Sequence, residues 1–206
     1  MLPESIDVLA HTLRYFPGVG KRSSQKLALD ILQLETEQFT EFTQAVEKVR
    51  AEVHFCKTCG FFAGGDQCEI CRDTNRINYQ ICLLEKPTDV ISVEKSSIYR
   101  GKYHVLKKLI SPLDNIFAED TDIPALVNRL KELVKQHNNI ELILFFKAGF
   151  AGEATTAYLK DVFATQGLTQ HISITRLAQG LPLYFNPETL DQATMVKALE
   201  DRRAVI

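Results

Sequence analysis

The sequence predicts a multidomain α/β chain, helical at its start and built further on around a parallel sheet flanked by helices. Three observations predict it. Apolar residues recur at three- and four-residue steps through residues 1–53, and two Cys-x-x-Cys pairs follow within residues 54–76. From Ile77 onward, short apolar runs alternate with helical patterns, the signature of strands whose crossovers are helices.

The first helix is expected from Leu2, Ile6, Leu9, Leu13 and Phe16, which share one face. Pro17-Gly18-Val19-Gly20 breaks it, and a second helix is expected from Ser23 to about Leu34. A third carries Phe39, Phe42, Val46, Val49 and Val53 on one stripe. All three stripes read as core packing of an N-terminal helical hairpin domain, residues 1–53. Residues 54–76 hold the cysteines with Gly60, Gly64 and Gly65 between them, a loop module too short for a core of its own. Strands are expected at Ile81–Leu84, Tyr103–Leu106, Leu142–Phe146 and Ile172–Thr175. Helices are expected near Asp89–Lys95, Pro124–His137 and Gly152–Ala164, which gives a parallel-sheet domain over residues 77–178. Residues 179–206 form a tail with one more helix from Gln192 to Arg203.

Composition narrows the class of function. With 206 residues, 45% hydrophobic and 24% charged, the chain has an ordinary globular make-up and can bury a real core. A formal net charge of −2 means that any nucleic-acid surface is a local basic patch. No apolar run approaches the roughly 18–20 residues that span a bilayer, and no basic segment followed by an apolar stretch opens the chain. The expectation is a cytoplasmic protein without membrane contact.

Cys56-Lys-Thr-Cys59 and Cys68-Glu-Ile-Cys71 form two Cys-x-x-Cys pairs separated by eight residues. Each pair places two thiolates on one turn, and the intervening loop lets the pairs face each other around a tetrahedral ion. Four thiolates leave no open coordination position, so one structural Zn²⁺ per chain is expected. The alternatives are incidental thiols or two redox pairs. Cys82 stands apart in an apolar run and reads as a small buried side chain.

Between the first two helices, Gly18 and Gly20 permit a tight turn and close approach of a ligand to the backbone. Amides opening the next helix point outward, where a phosphate accepts their hydrogen bonds, and Lys21, Arg22 and Lys26 add charge beside them. The pattern resembles a helix-hairpin-helix, which grips the DNA backbone without reading bases. It lacks the spacing of a Walker A loop. A plain helix–helix turn with solvated lysines is the competing reading. A second basic stretch from Lys95 to Lys108 contains Arg100, Lys102 and Lys107, with Tyr99 and Tyr103 interleaved and no acidic residue. It suits either a secondary DNA contact with base stacking or solvated charge beside a strand.

Taken together, the hairpin, the four-cysteine module and the α/β segment resemble the RecR family of bacterial recombination mediators. The residues that carry the resemblance are Phe16-Pro-Gly-Val-Gly-Lys-Arg-Ser23, the four cysteines, Ile81-Cys-Leu-Leu-Glu85, Asp89-Val-Ile-Ser-Val-Glu94 and Tyr99-Arg-Gly-Lys-Tyr-His-Val-Leu106. Ser111-Pro-Leu-Asp114, Gly152-Glu-Ala-Thr155 and Gly180-Leu-Pro182 extend it. The resemblance implies a Toprim-like fold for residues 77–178 and a homo-oligomer, dimer or ring tetramer, that clamps double-stranded or gapped DNA. It implies RecO and RecF equivalents as partners in loading RecA. Arg22 and Lys26 fall at the family's DNA-contacting hairpin positions, Glu85 at the Toprim glutamate, and Glu153 in the region that meets RecO. The chain departs from the family at Lys147-Ala-Gly-Phe-Ala151, where Asn-Pro-Thr-x-Glu is usual, and at Tyr184-Phe185, where a glycine pair is usual.

Two rival classes follow. Catalytic Toprim domains hold Mg²⁺ with a glutamate and an Asp-x-Asp pair, but here Lys147 and Gly149 stand at the aspartate positions beyond the strand ending in Phe146. One glutamate is a poor site for a hard cation, so no turnover is expected, and Glu85 reads as a helix cap or salt-bridge partner. A zinc-dependent adaptor that does not bind DNA is the third class, against which the hairpin argues.

Overall fold

The computed structural model describes residues 2–147, 149–178, 181, 186, 188 and 191–200. The chain divides into two compact units, Met1–Val53 and His54–Ile206.

The first unit is three helices: α1 (Glu4–Leu13), α2 (Lys21–Leu32) and α3 (Thr36–Glu52). After α1 the chain tightens, with the Val19 N–H donating to the Phe16 carbonyl at 3.1 Å and Gly18 taking φ +83°, a conformation cheap only for glycine. Helices α1 and α2 bury only small residues, Ala10 and then Ser24 and Ala28. Helix α3 is capped by the Gln38 side chain, which accepts the Glu35 N–H at 3.2 Å.

Not one residue of α3 is buried, and Phe39, Phe42, Val46, Val49 and Val53 are all exposed, as are Leu2 and Phe16. The expectation of core packing is therefore corrected for this stripe. Periodicity shows that a face wants covering, but it does not say that the same chain covers it.

The second unit opens with a two-stranded ribbon, β1 (His54–Phe55) paired antiparallel with β2 (Phe62–Ala63), and a one-turn helix α4 (Glu69–Arg72). There follow β3 (Ile77–Leu84), α5 (Pro87–Glu94), β4 (Gly101–Val105), α6 (Ile123–Val134), β5 (Ile140–Phe145), α7 (Phe150–Thr165) and β6 (Ile172–Arg176). Strands β3 to β6 form one parallel sheet in the order β4-β3-β5-β6. Helix α8 (Gln192–Glu200) ends the described chain. Gly180, Pro182 and the Tyr184-Phe185 pair lie outside the described residues, as does the expected extension of the last helix to Arg203.

Because successive strand side chains alternate, β3 feeds two cores. Ile81 and Leu83 join Leu142 and Leu144 of β5 under Leu126 and Leu130 of α6 and Leu159 and Phe163 of α7. Cys82 and Leu84 face the other way, with Tyr103 and Val105 of β4 and Val90 of α5. That second core is finished by Phe61 and Ile70, which come from the cysteine module. Cys82 is buried there, and burial pushes its thiol up to about 12, so it stays protonated and inert.

The connection after β3 runs through α5 to β4 on one side, and that after β5 runs through α7 to β6 on the other. A crevice therefore opens beyond the carboxyl ends of β3 and β5, the place where open parallel sheets take ligands.

His104 of β4 is fully enclosed, its Nε2 facing the Asp122 carbonyl at 3.3 Å and its Nδ1 without a hydrogen-bond partner. Burial first, and then the nearby Arg129 charge, lower its pKa from 6.5 to about 4. The folded state thus resists the proton that the unfolded chain accepts. Stability from this group is complete above pH 6.5 and is lost as the pH falls to 4, by about 3 kcal/mol. Urea unfolding across that range should show the loss, and His104→Phe should remove the imidazole's share of the slope.

Candidate metal centre and nucleic-acid interface

The first Cys-x-x-Cys pair lies on the turn leaving β1. The Gly60 N–H donates to the Cys56 carbonyl at 2.8 Å, and the Cys56 N–H donates to the Phe61 carbonyl at 2.6 Å. The second pair lies on α4, where the Cys71 N–H points at the Cys68 sulfur at 3.4 Å. All four Sγ atoms lie within 4.8 Å of one another, and those of Cys59 and Cys68 are 3.6 Å apart. A tetrahedral tetrathiolate zinc site has sulfur–sulfur edges of about 3.8 Å, so the cluster has the right size. Among the described residues no other group of three or more histidine, cysteine or acidic side chains gathers in this way.

The thiols are close enough to share protons. Hydrogen bonds from Cys59 and then Cys71 pull Cys68 down to about 2, while the bond to Cys68, then Cys71 and burial push Cys59 up. Protons and a cation therefore compete for the same sulfurs.

Three contacts fasten the cysteine turns to the edge strand β4. The Val105 N–H donates to the Cys59 carbonyl at 2.8 Å. One guanidinium nitrogen of Arg129 donates to the Tyr103 carbonyl at 2.6 Å and reaches the Thr58 carbonyl at 3.4 Å. The Lys102 ammonium donates to the carbonyls of Ile70, Cys71 and Asp73 at 2.7, 3.2 and 2.6 Å. Gly60, at φ +74°, comes so near that a Cβ would stand 3.2 Å from both Cβ and the carbonyl oxygen of Val105.

This geometry corrects part of the second basic stretch. Lys102 is 7% exposed and its three donors are all occupied by carbonyls, so it offers nothing to a phosphate. Desolvation draws its pKa down, opposed by the nearby Cys71 and Asp73. Tyr103 is wholly buried with its hydroxyl on Glu94, and the half-buried Tyr99 donates to the Lys102 carbonyl, so neither ring is available to stack a base. Arg100 is exposed, and Lys107 reaches Asp122 at 3.2 Å while remaining about half exposed.

On the first unit, Gly20 is the extended residue before α2, and the Ser24 N–H is the first to close a helical bond, onto the Gly20 carbonyl at 2.9 Å. The amides of Lys21, Arg22 and Ser23 precede that bond, so no helical carbonyl serves them, and no side chain caps them. Helix α1 carries Glu4 and Asp7 in its first turn, whereas α2 has no acid there. Lys21, Arg22 and Lys26 are exposed. A Cβ on Gly18 or Gly20 would touch nothing within 4 Å, so the chain's own packing does not demand Gly20.

At the strand ends, Glu85 is half-buried and neither caps α5 nor forms an ion pair among the described residues; Asp89 accepts the Lys86 N–H instead, at 3.0 Å. Glu153, in the first turn of α7, pairs with Arg176 at 2.6 Å, which holds its carboxyl below the usual range.

Residues 6–50 match the family described as RecR, helix-hairpin-helix, residues 53–73 the four-cysteine zinc finger domain of RecR, and residues 79–178 the Toprim domain. The recombination protein RecR of Streptomyces coelicolor is 41% identical over 195 residues, covering 95% of this chain and 94% of its own. That of Staphylococcus saprophyticus is 39% identical over 201 residues, covering 97% of each. The chain belongs to the RecR family.

In this RecR-family protein the four cysteines hold one structural Zn²⁺, as the sequence spacing implied. A tetrathiolate around a divalent ion keeps a net negative charge, and Lys102 is the buried countercharge beside it. Sequence reasoning missed Lys102 and Arg129 in this role. No local pattern signals them, because the carbonyls of Ile70 and Cys71 lie 32 and 31 positions from Lys102, and that of Tyr103 lies 26 from Arg129.

Three outcomes are expected. Cys59→Ser should lose stoichiometric zinc by metal analysis, and chelator competition on the unaltered protein should show affinity falling as the pH is lowered. Lys102→Met keeps the stem but leaves three carbonyls unserved, so it should weaken zinc retention and cost about 2 kcal/mol or more in urea unfolding.

Proposed function

We propose that this protein is a sequence-independent DNA-binding mediator of recombinational repair that works without catalytic turnover. The observation that carries the reading is the start of α2: three uncapped amides and the exposed cations Lys21, Arg22 and Lys26, with no acid in the turn. Such an end binds a phosphate through main-chain donors and the helix dipole, and reads no base. Gly18 and Gly20 leave the space for a strand to approach.

By function the chain divides into a DNA grip (1–53), a zinc finger (54–76), a Toprim-like domain (77–178) and a tail (179–206). Partners are RecO and RecF equivalents, RecA is loaded on gapped DNA, and the setting is cytoplasmic. Membership in the family supports this part of the reading. Glu153, exposed beside Arg176, is the residue we propose for contact with the RecO equivalent. Arg100 and Lys107 are retained as secondary DNA contacts. Absence of turnover rests on Lys147 and Gly149 beside a single Glu85, too few oxygen ligands for Mg²⁺. The exposed stripe of α3 supports a homo-oligomer, since a second copy offers the same apolar stripe in return.

Lys21→Ala with Arg22→Ala should weaken binding to all DNA sequences alike and flatten the dependence on salt by about one unit of slope for each phosphate no longer held. Unchanged affinity and slope would move the grip elsewhere, and no binding by the unaltered protein at low salt would favour a zinc-dependent adaptor. Val46→Glu on α3 should shift sedimentation toward smaller species while leaving the zinc content unchanged.

A further inference from the structure

The four cysteines are not equivalent. Cys56, Cys59 and Cys68 are buried, and Cys71 alone among them is part-exposed. A sulfur must be reached before it is oxidised, so a small oxidant meets Cys71 first. Cys68 is the N-cap of the same one-turn helix α4, and the Cys71 N–H already points at its sulfur at 3.4 Å. Residues three apart on such a turn have Cα atoms about 5 Å apart, inside the span of roughly 4.4–6.8 Å that a disulfide bridges. Cys59 and Cys68 bring their sulfurs to 3.6 Å, but both are enclosed. Cys59 is also fixed to the sheet, by the Val105 N–H on its carbonyl and by the close packing of Gly60 against Val105.

What the second pair is tied to gives its oxidation a consequence. The Lys102 ammonium donates to the carbonyls of Ile70, Cys71 and Asp73, the backbone of this pair and its surroundings. Ile70, next to Cys71 in the chain, packs against the core of Cys82, Leu84 and Val105. Beyond Asp73 the chain is pinned afresh. One guanidinium nitrogen of Arg76 donates to Glu94 at 2.9 Å and to the Gly101 carbonyl at 3.2 Å, and the Tyr103 hydroxyl donates to the same carboxylate. The attachment of the cysteine module to β4 is therefore separable from the place of β3 in the sheet.

We propose that Cys68 and Cys71 form a peroxide-sensitive pair whose oxidation unclips the cysteine module from β4. The Cys71 thiolate attacks a peroxide oxygen; the O–O bond breaks, the sulfur becomes a sulfenic acid, and the departing hydroxide takes up a proton to give water. The Cys68 thiolate then attacks that sulfur; the S–S bond forms, the S–O bond breaks, and a second hydroxide leaves and is protonated. The two sulfurs together lose two electrons, and one peroxide with two protons becomes two waters. Cys56 and Cys59 remain as thiolates, too few to complete a tetrahedral site. With that negative charge reduced, Lys102 loses what offsets its burial, and Ile70 leaves the core with its helix.

The test uses the unaltered, full-length, zinc-loaded protein. Hydrogen peroxide is added at millimolar levels, released zinc is read with a coloured chelator, and remaining thiols are alkylated under denaturing conditions. Peptide mapping should find a Cys68–Cys71 disulfide with Cys56, Cys59 and Cys82 alkylated, and zinc release should keep step with that disulfide. Hydrogen exchange should speed up about tenfold or more at the Val105 and Gly60 amides, while the Ile77 amide and those of β5 keep their protection. Dithiothreitol with added zinc should reverse both changes. Cys82→Ala should leave the mapped disulfide and the zinc release as they were. A first disulfide between any other two cysteines, zinc release without a disulfide, or zinc retained where a free-cysteine peptide is fully oxidised would overturn the proposal. Loss of protection throughout β5 would overturn the local unclipping, because the sheet would then be unfolding with the module.

Discussion

A buried ammonium holding three main-chain carbonyls is the contact on which the second unit depends. Lys102 belongs to β4, and its acceptors belong to α4 and the chain just after it, so the sheet's edge strand and the cysteine turns share one hydrogen-bonded centre. The arrangement is physically demanding. Burying an ammonium without a carboxylate in direct contact is expensive, and three carbonyl dipoles plus the charge of a nearby tetrathiolate are what make it tolerable. Remove the thiolate charge and the lysine loses its reason to stay inside. The zinc site and the sheet are consequently one cooperative object, which is why Phe61 and Ile70 can leave a module with almost no core of its own and complete the core over Cys82, Leu84 and Val105.

Much of this is legible in the sequence, and the part that is not has a common cause. The parallel strands are visible because both faces of the sheet are covered, so a strand reads as a short continuous apolar run, as Ile81 to Leu84 does. The zinc ligands are visible because a tetrahedron needs two short pairs. Both are local patterns. Lys102 misleads because its neighbours in the sequence, Arg100 and Lys107, suggest a basic surface, whereas period-two alternation and pairing to β3 turn it inward. Tyr103 misleads for the same reason. The α3 stripe shows the opposite failure: the local pattern is right, but what covers Phe42 and Val46 is not a matter of local pattern at all.

Charge is distributed to match. With a formal net charge of −2, the chain has no general affinity for polyanions, and long-range attraction beyond about 10 Å is screened in ordinary salt. A phosphate must be held by groups that are close, exposed and not already paired. Applied to the candidate DNA contacts, this criterion removes Lys102, weakens Lys107, which is paired with Asp122, and leaves Lys21, Arg22 and Lys26 on one unit and Arg100 on the other.

The strand-end cleft also gives a physical reason for departure from a catalytic Toprim arrangement. A divalent ion at that crevice would need oxygen ligands from the segment after β5, and this chain offers an ammonium at residue 147 and no side chain at residue 149. An ion both holds a phosphodiester and stabilises the charge that develops when the bond breaks; a lysine provides the first and much less of the second. An ammonium at residue 147 and a bare backbone at residue 149 leave Glu85 without the carboxylates that would share a divalent ion with it.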